Sequence, residues 1–298
     1  MVAAIIVLYH PDLSLLRRLL ESVAGQVGTI IAVDNTPGSS TEVRSFLDSL
    51  PHPVSYLPLR DNVGIATAQN IGIRESAKTG HSHVLLLDQD SRPSPGMVSQ
   101  LVSAEQKLLE SGKKIASVGP LFIDEKSGTA PTVIRHLLRH VNKIPLDGAM
   151  EEPVEADCLT ASGSLTRVSV LAEIGAMRDE LFIDWVDIEW GLRARSTGYK
   201  CYIVPGAIMI HSIGDTFVRV IGKDIYLHND TRNYYIVRNA TYLLRLKSMG
   251  WRWRIVTVPK LPLYVCFYSW NSGKRWNSFR LLCKAFSDGL HGRVGRLA

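Results

Sequence analysis

A chain of 298 residues with 46% hydrophobic and 21% charged side chains can bury a substantial core, which excludes wholesale disorder. Its four cysteines (Cys158, Cys201, Cys266, Cys283) are scattered without a Cys-x-x-Cys pair, which argues for a reducing compartment and against structural zinc. The net charge of +6 hides a division: from Arg232 onward 13 Lys and Arg face one acid, Asp288, whereas the first 231 residues hold 21 basic and 27 acidic side chains.

Met1-Val2-Ala3-Ala4 runs straight into a strand pattern with no basic n-region or cleavage signal, so no secretory leader is expected. Residues 3–9 read as a buried strand, and 13–23 as a helix from the spacing of Leu15, Leu16, Leu19, Leu20 and Val23. A strand over 29–33, a helix over 41–50, a strand over 54–59, a helix over 62–77 entered through Gly64, and a strand over 83–87 follow. This β-α-β-α-β-α-β order predicts an α/β fold with a mostly parallel sheet covered by helices. A helix over 97–110 and a strand over 115–121 continue it. Residues 124–152 mix Gly, Pro and charge and predict a long loop with one short helix near 133–141. Helices over 169–174 and 185–197, a strand over 200–204 and a basic helical region from Asp230 complete the reading.

Every strand of the first half ends in a polar signature: Tyr9-His10-Pro11, Asp34-Asn35-Thr36, Arg60-Asp61-Asn62-Val63-Gly64, and Asp88-Gln89-Asp90 after Leu85-Leu86-Leu87. In a parallel sheet these ends share one edge, where open α/β sheets bind ligands. A carboxylate such as Asp34 can accept the N3–H of a uracil or thymine ring. Gly64 permits close backbone approach at a helix start, where free N–H groups favour phosphate or sugar hydroxyls. Two carboxylates one residue apart suit a hard divalent cation holding a diphosphate. A second acidic cluster, Asp184, Asp187 and Glu189, crowds a helix start, with Arg193 and Arg195 nearer its end. These charges suit the helix dipole, and one such carboxylate facing a sugar pocket is the right group to deprotonate an attacking hydroxyl.

Together the strand ends, the Asp-x-Asp, the Ser162-Gly163 step, the acidic helix start and the later His211 resemble family 2 glycosyltransferases of the GT-A fold. The pattern Leu-Leu-Leu-Asp-Gln-Asp-Ser with Phe-Ile-Asp-x-Val-Asp is similar to bacterial rhamnosyltransferases that use dTDP-L-rhamnose; the resemblance covers roughly residues 3–215. It implies Asp34 as the base-recognising acid, with Tyr9 near the ring and Asn35 beside it. Asp61, Asn62, Gly64 and Asn70, with Gly72, match the segment around the nucleotide sugar. Asp88 is implied near the ribose, Asp90 as ligand of Mg²⁺ or Mn²⁺, and His211 as a further metal or diphosphate contact. Asp187 takes the second place of the family's Glu-Asp pair, the general base, with Val186 in place of the Glu and Asp184 in reserve. The implied reaction is a single inverting displacement. Residues 1–230 are then the nucleotide-sugar-binding and catalytic unit, and 231–298 a basic aromatic helical region.

Basic charge interleaved with Trp251, Trp253, Trp270 and Trp276 is the composition of a membrane-surface contact, and no nucleic-acid recognition motif accompanies it. The most apolar stretch, 255–270, is interrupted by Pro259, Lys260 and Pro262, so peripheral attachment on the inner face of the cytoplasmic membrane is expected. The acceptor expected there is a lipid-linked glycan such as a lipopolysaccharide core, or a glycolipid. Two rivals are weaker. Haloacid-dehalogenase-type phosphatases also set Asp-x-Asp after an apolar strand, but early in the chain, and here three βα units precede it. A non-enzymatic adaptor has no use for both Asp90 and Asp187. Trp185 and Trp190 are candidates to stack on acceptor sugars, and equally for the core. His136 and His140 at i, i+4 lack a third metal ligand, and His81-Ser82-His83 reads as a solvated turn.

Overall fold

The computed structural model describes residues 1–38, 41–124, 133–137, 140–144, 152–211, 217–220 and 223–297, with backbone alone at 124, 133–137, 140–144, 211, 217–220 and 223–226. The first half follows the predicted alternation: β1 (Val2–Leu8), α1 (Leu13–Val23), β2 (Thr29–Asp34), α2 (Thr41–Asp48), β3 (Val54–Pro58), α3 (Ile65–Lys78) and β4 (His83–Asp88). There follow β5 (Ser91–Pro93), α4 (Met97–Glu110), β6 (Ile115–Asp124), β7 (Val133–Leu137), β8 (His140–Ile144), β9 (Val154–Ala156), β10 (Leu165–Arg167) and α5 (Val168–Ile174). Next come α6 (Val186–Ser196), β11 (Lys200–His211), β12 (Phe217–Val220) and β13 (Lys223–Tyr226). Four helices close the chain: α7 (Asp230–Leu243), α8 (Gly250–Thr257), α9 (Lys260–Asn271) and α10 (Arg275–His291).

The main sheet runs β3-β2-β1-β4-β10-β6-β11-β5, with β9 beside β11. β3, β2, β1 and β4 are parallel, β10 enters antiparallel between β4 and β6, and β11 is parallel to β6. Strand alternation sorts the core into two layers. Ala4, Ile6 and Leu8 of β1 pack with Leu16, Leu19 and Leu20 of α1 and Leu101 of α4. Ala3 and Ile5 face the other way, toward Ala68 and Ile73 of α3, Val170 and Leu171 of α5, and Trp190 and Ala194 of α6. Helices α1, α2 and α4 therefore cover one face of the sheet, and α3, α5 and α6 the other.

Three expectations are corrected. The short helix near 133–141 is a hairpin: β7 and β8 pair antiparallel with His136 opposite Val141 and Leu137 opposite His140, so His136 and His140 share no helix face. The strand expected over 200–204 runs on to His211 across a register shift between Val204 and Ile208. The His81-Ser82-His83 turn is not solvated throughout: His81 is buried with Nε2 2.9 Å from Thr29 Oγ1, and His83 Nε2 lies 2.8 Å from Glu105 Oε2.

The C-terminal helices form a layer of their own. Tyr234, Tyr235 and Val237 of α7 pack with Val265 and Tyr268 of α9 and Leu282 and Ala285 of α10. Gly289 of α10 allows this approach, since a Cβ there would lie 2.5 Å from the Arg238 carbonyl oxygen. The apolar stretch breaks between α8 and α9 at Val258 and Pro259, and no described helix is long and apolar enough to cross a membrane.

Candidate active site

Register brings the strand ends together: Leu8 pairs with Asp34 on one side, and Val7 with Asp88 on the other. Asp34 is buried at the end of β2. Its Oδ2 accepts the Tyr56 hydroxyl at 2.6 Å and its Oδ1 the Thr36 N–H at 3.0 Å. Burial first, and then the bond to Asp34, raise the Tyr56 pKa, so this phenol remains a donor at neutral pH. Tyr9 is exposed, and its backbone is held from both sides by Gln89: Tyr9 N–H donates to Oε1 at 2.8 Å, and Nε2 donates to the Tyr9 carbonyl at 3.2 Å. The Gln between the two acids therefore fastens the end of β1 to the Asp-x-Asp turn.

The next segment is a frame. Asn35 donates to Asn62 Oδ1 at 3.0 Å and accepts the Val63 N–H at 2.8 Å, and Asn62 Oδ1 accepts the Gly64 N–H at 3.1 Å. At the start of α3 the first N–H groups are taken within the protein, against the expectation that they are free. Ile65 N–H donates to the Phe182 carbonyl at 2.7 Å, and a Cβ on Gly64 (φ 86°) would meet the Phe182 ring at 2.6 Å. The segment preceding α6 is enough by itself to require glycine at 64. Asn70 is likewise occupied, donating to the Met177 carbonyl and to Asp179 and accepting the Met177 N–H. Gly72 abuts Ile5 of β1. Asp61 is exposed and paired at 2.9 Å with Arg296, which lowers its pKa.

Asp88 and Asp90 are half-buried at the β4–β5 turn. Among the described residues Asp90 makes no hydrogen bond or ion pair, and no group of three or more His, Cys, Asp or Glu is assembled to hold a metal. A small set of hard oxygen donors fits Mg²⁺ or Mn²⁺, which keep waters and substrate phosphates in their coordination shell. The His211 side chain lies outside the described residues.

Asp187 stands half-buried in the first turn of α6. Its Oδ1 accepts the Ile188 N–H at 2.8 Å and its Oδ2 the Ala161 N–H at 3.3 Å. Burial raises its pKa, against the downward pull of these N–H groups, and the Asp184 charge adds to the rise. Ala161 also leads to the other cluster: the next residue, Ser162, accepts the Asp88 N–H at 2.9 Å, and its Oγ lies 2.7 Å from Ser91 Oγ. A cavity of about 20 Å³, room for one water, is lined by Asp187, Thr166, Trp190 and Gln69, whose buried Oε1 has no partner within the protein.

Asp184 is not free to serve as a base, because Arg232 holds both its oxygens at 3.2 Å. Trp190 is buried and donates to the Gly175 carbonyl, and Trp185 donates to the Ile236 carbonyl and packs in a small core cluster, so both belong to the interior. Phe182, Asp184 and Trp185 have positive φ of 66°, 61° and 66°, a strained conformation costing about 1–3 kcal/mol each. Tyr56 carries no mark in the sequence, since it belongs to no motif; Ser162 and the segment from Phe182 to Asp187 stand in motifs, but neither the Ser162 bond to Asp88 nor the clustered strain can be read from them.

Residues 4–175 match the family model described as glycosyl transferase family 2. The chain is 36% identical over 245 residues to the dTDP-rhamnosyl transferase RfbF of Shigella flexneri, covering 81% of this chain and 79% of that protein. It is 25% identical over 260 residues to the galactofuranosyltransferase GlfT1 of Mycolicibacterium smegmatis, covering 82% and 83%. In fold it resembles GalNAc-T7, solved with UDP, GalNAc and Mn²⁺ (TM-score 0.62, 15% identity), covering 98% of this chain and 56% of that one. It also resembles S. aureus TarS bound to UDP-GlcNAc (TM-score 0.57, 12% identity), covering 98% and 82%. The chain belongs to glycosyltransferase family 2 and has the GT-A fold.

Proposed function

We propose that this enzyme transfers L-rhamnose from dTDP-L-rhamnose to a hydroxyl of a lipid-linked glycan, with inversion at the anomeric carbon. One observation carries the reading: the two-residue span Ala161-Ser162 ties Asp187 to the Asp88–Asp90 turn, so a candidate base and a candidate diphosphate site share one support. The 36% identity to a dTDP-rhamnosyl transferase favours the sugar and the nucleotide.

Asp187 takes the proton of the acceptor hydroxyl as its oxygen attacks the anomeric carbon. Its raised pKa gives it more basicity than an ordinary surface aspartate. Asp34, oriented by Tyr56, accepts from the thymine ring, with Tyr9 beside it, and Asp88 faces the ribose. Asn35, Asn62, Gly64 and Asn70 keep the donor edge and the segment before α6 in register, with Asp61 at its exposed rim. Asp90 would hold Mg²⁺ or Mn²⁺, with His211 as a further candidate ligand. Such an ion supplies charge stabilisation to the departing dTDP. No second catalytic carboxylate is then needed, in contrast to glycosidases. The membrane reading rests on nine of the twelve exposed large hydrophobics among the described residues, which lie between Trp251 and Leu290 amid basic charge. It accords with an acceptor presented at the inner face of the cytoplasmic membrane.

The test is transfer from dTDP-L-rhamnose with the product's anomeric configuration read by NMR. Asp187→Asn is expected to lower kcat about 10²–10⁴-fold while dTDP still binds. Asp90→Ala is expected to weaken metal-dependent nucleotide binding itself. Retention of configuration, or full activity of Asp187→Asn, would sink the proposal.

A further inference from the structure

The backbone that delivers Asp187 is held from outside the sheet. Between Leu181 and Val186 the chain takes positive φ at Phe182, Asp184 and Trp185, and the Ile183 N–H closes on the Leu181 carbonyl at 2.8 Å. That closure makes Phe182 the centre of a γ-turn of the rarer, strained kind. Such a segment persists only where its surroundings over-determine it.

The surroundings are supplied by α7. Asn239 is fully buried, and its Nδ2, with two hydrogens, serves the carbonyls of Leu181, Ile183 and Asp184 at 2.9, 2.8 and 2.9 Å, one hydrogen being shared. Three carbonyls facing one amide fix which end of the side chain points at them, because Oδ1 is an acceptor only. Oδ1 itself is buried without a partner, so this side chain makes its hydrogen bonds only at the clamp. The adjoining Arg238 donates to the Leu181 carbonyl at 3.0 Å, and Arg232, two turns earlier in α7, pairs with the Asp184 carboxylate. Trp185 closes the set by donating to the Ile236 carbonyl.

We propose that Asn239 is a positioning residue for glycosyl transfer, its amide holding the segment before α6 in the one conformation that presents Asp187 to the acceptor. Arg232 acts as a second, outer tether on the same segment. This inference rests on Asp187 being the base. Asn239 is fully buried in α7, outside the strand ends, so its loss is expected to act on the chemical step and to spare the nucleotide edge built on β1, β2 and β4.

Asn239→Leu roughly keeps the volume and removes the donor, and Arg232→Ala removes the outer tether at a half-exposed site. Each is assayed with dTDP-L-rhamnose beside Asp187→Asn, with kcat normalised to the dTDP-binding sites counted by calorimetry. That normalisation removes any loss of folded enzyme. Asn239→Leu is expected to lower kcat about 10²-fold, and Arg232→Ala about tenfold, with donor KM and dTDP affinity unchanged. Should Asn239→Leu fail to fold, Arg232→Ala decides. Unchanged kcat in the folded variants, or a parallel loss of dTDP affinity, overturns the positioning role. Full activity of Asp187→Asn instead removes the base assignment beneath it.

Discussion

Asp187 is the proposed base, and its environment makes a signed prediction. Burial lifts its folded-state pKa above the usual aspartate value, so the carboxylate is protonated, and lost as a base, as pH falls through that raised value. The acid limb of the kcat–pH profile is therefore expected above the ordinary aspartate range, and a limb at or below it counts against Asp187. Tyr56 offers a second test at this scale. Tyr56→Phe deletes the 2.6 Å bond to Asp34, a loss of about 1.5 kcal/mol for a bond to a charged acceptor. Urea unfolding should register that loss, and dTDP affinity should fall with it, because Asp34 then lacks its orienting donor.

Among the elements, the segment joining Phe182 to α6 links α3, α6 and α7, and Gly64 is its contact on α3. Gly64 and Gly38 have similar φ of 86° and 89°, but a Cβ at 38 meets nothing within 4 Å, whereas at 64 it would lie 2.7 Å from the Phe182 carbonyl oxygen. Gly38→Ala is expected to cost about 1 kcal/mol from backbone strain alone, and Gly64→Ala clearly more, with a matching loss of activity. Equal Tm shifts for the two would show that the Phe182 contact carries no weight. The β-α alternation and the shared edge of polar strand ends are legible in the sequence because apolar runs of strand length stop abruptly at Asp34, Arg60 and Asp88. The three-residue strands β5, β9 and β10 are not, since they are shorter than any periodic signal and owe their pairing to distant neighbours. The hairpin of β7 and β8 reads as a helix for a related reason. The roles of Asn35, Asn70 and Gly64 as braces cannot be separated from ligand contacts by motif, because a motif fixes where a residue stands and not what occupies its hydrogen bonds.

Across the whole molecule, the basic C-terminal region is at once a structural support and a candidate surface. Its inner face packs α7 against α9 and α10, and its outer face exposes Trp251, Trp270 and Trp276, with Arg275 4.5 Å over the Trp270 ring. Removing residues 251–298 would strip α10 from α7 and disturb the fold, so side-chain changes are the cleaner probe. Replacing Trp251, Trp270 and Trp276 together by Ser is expected to reduce sedimentation with anionic vesicles while leaving transfer to a soluble acceptor intact; unchanged sedimentation would refute the membrane contact. The exposure of aromatic side chains amid basic charge is legible in the composition, but helical periodicity does not tell that α7 clamps the backbone leading to Asp187.

The identity of the donor decides the reaction. Thermal stabilisation and turnover should be measured for dTDP-L-rhamnose beside UDP- and GDP-sugars, each with Mg²⁺ or Mn²⁺. The expected result is the largest stabilisation, and acceptor-dependent release of nucleotide, with dTDP-L-rhamnose. A clear preference for a UDP-sugar would contradict it.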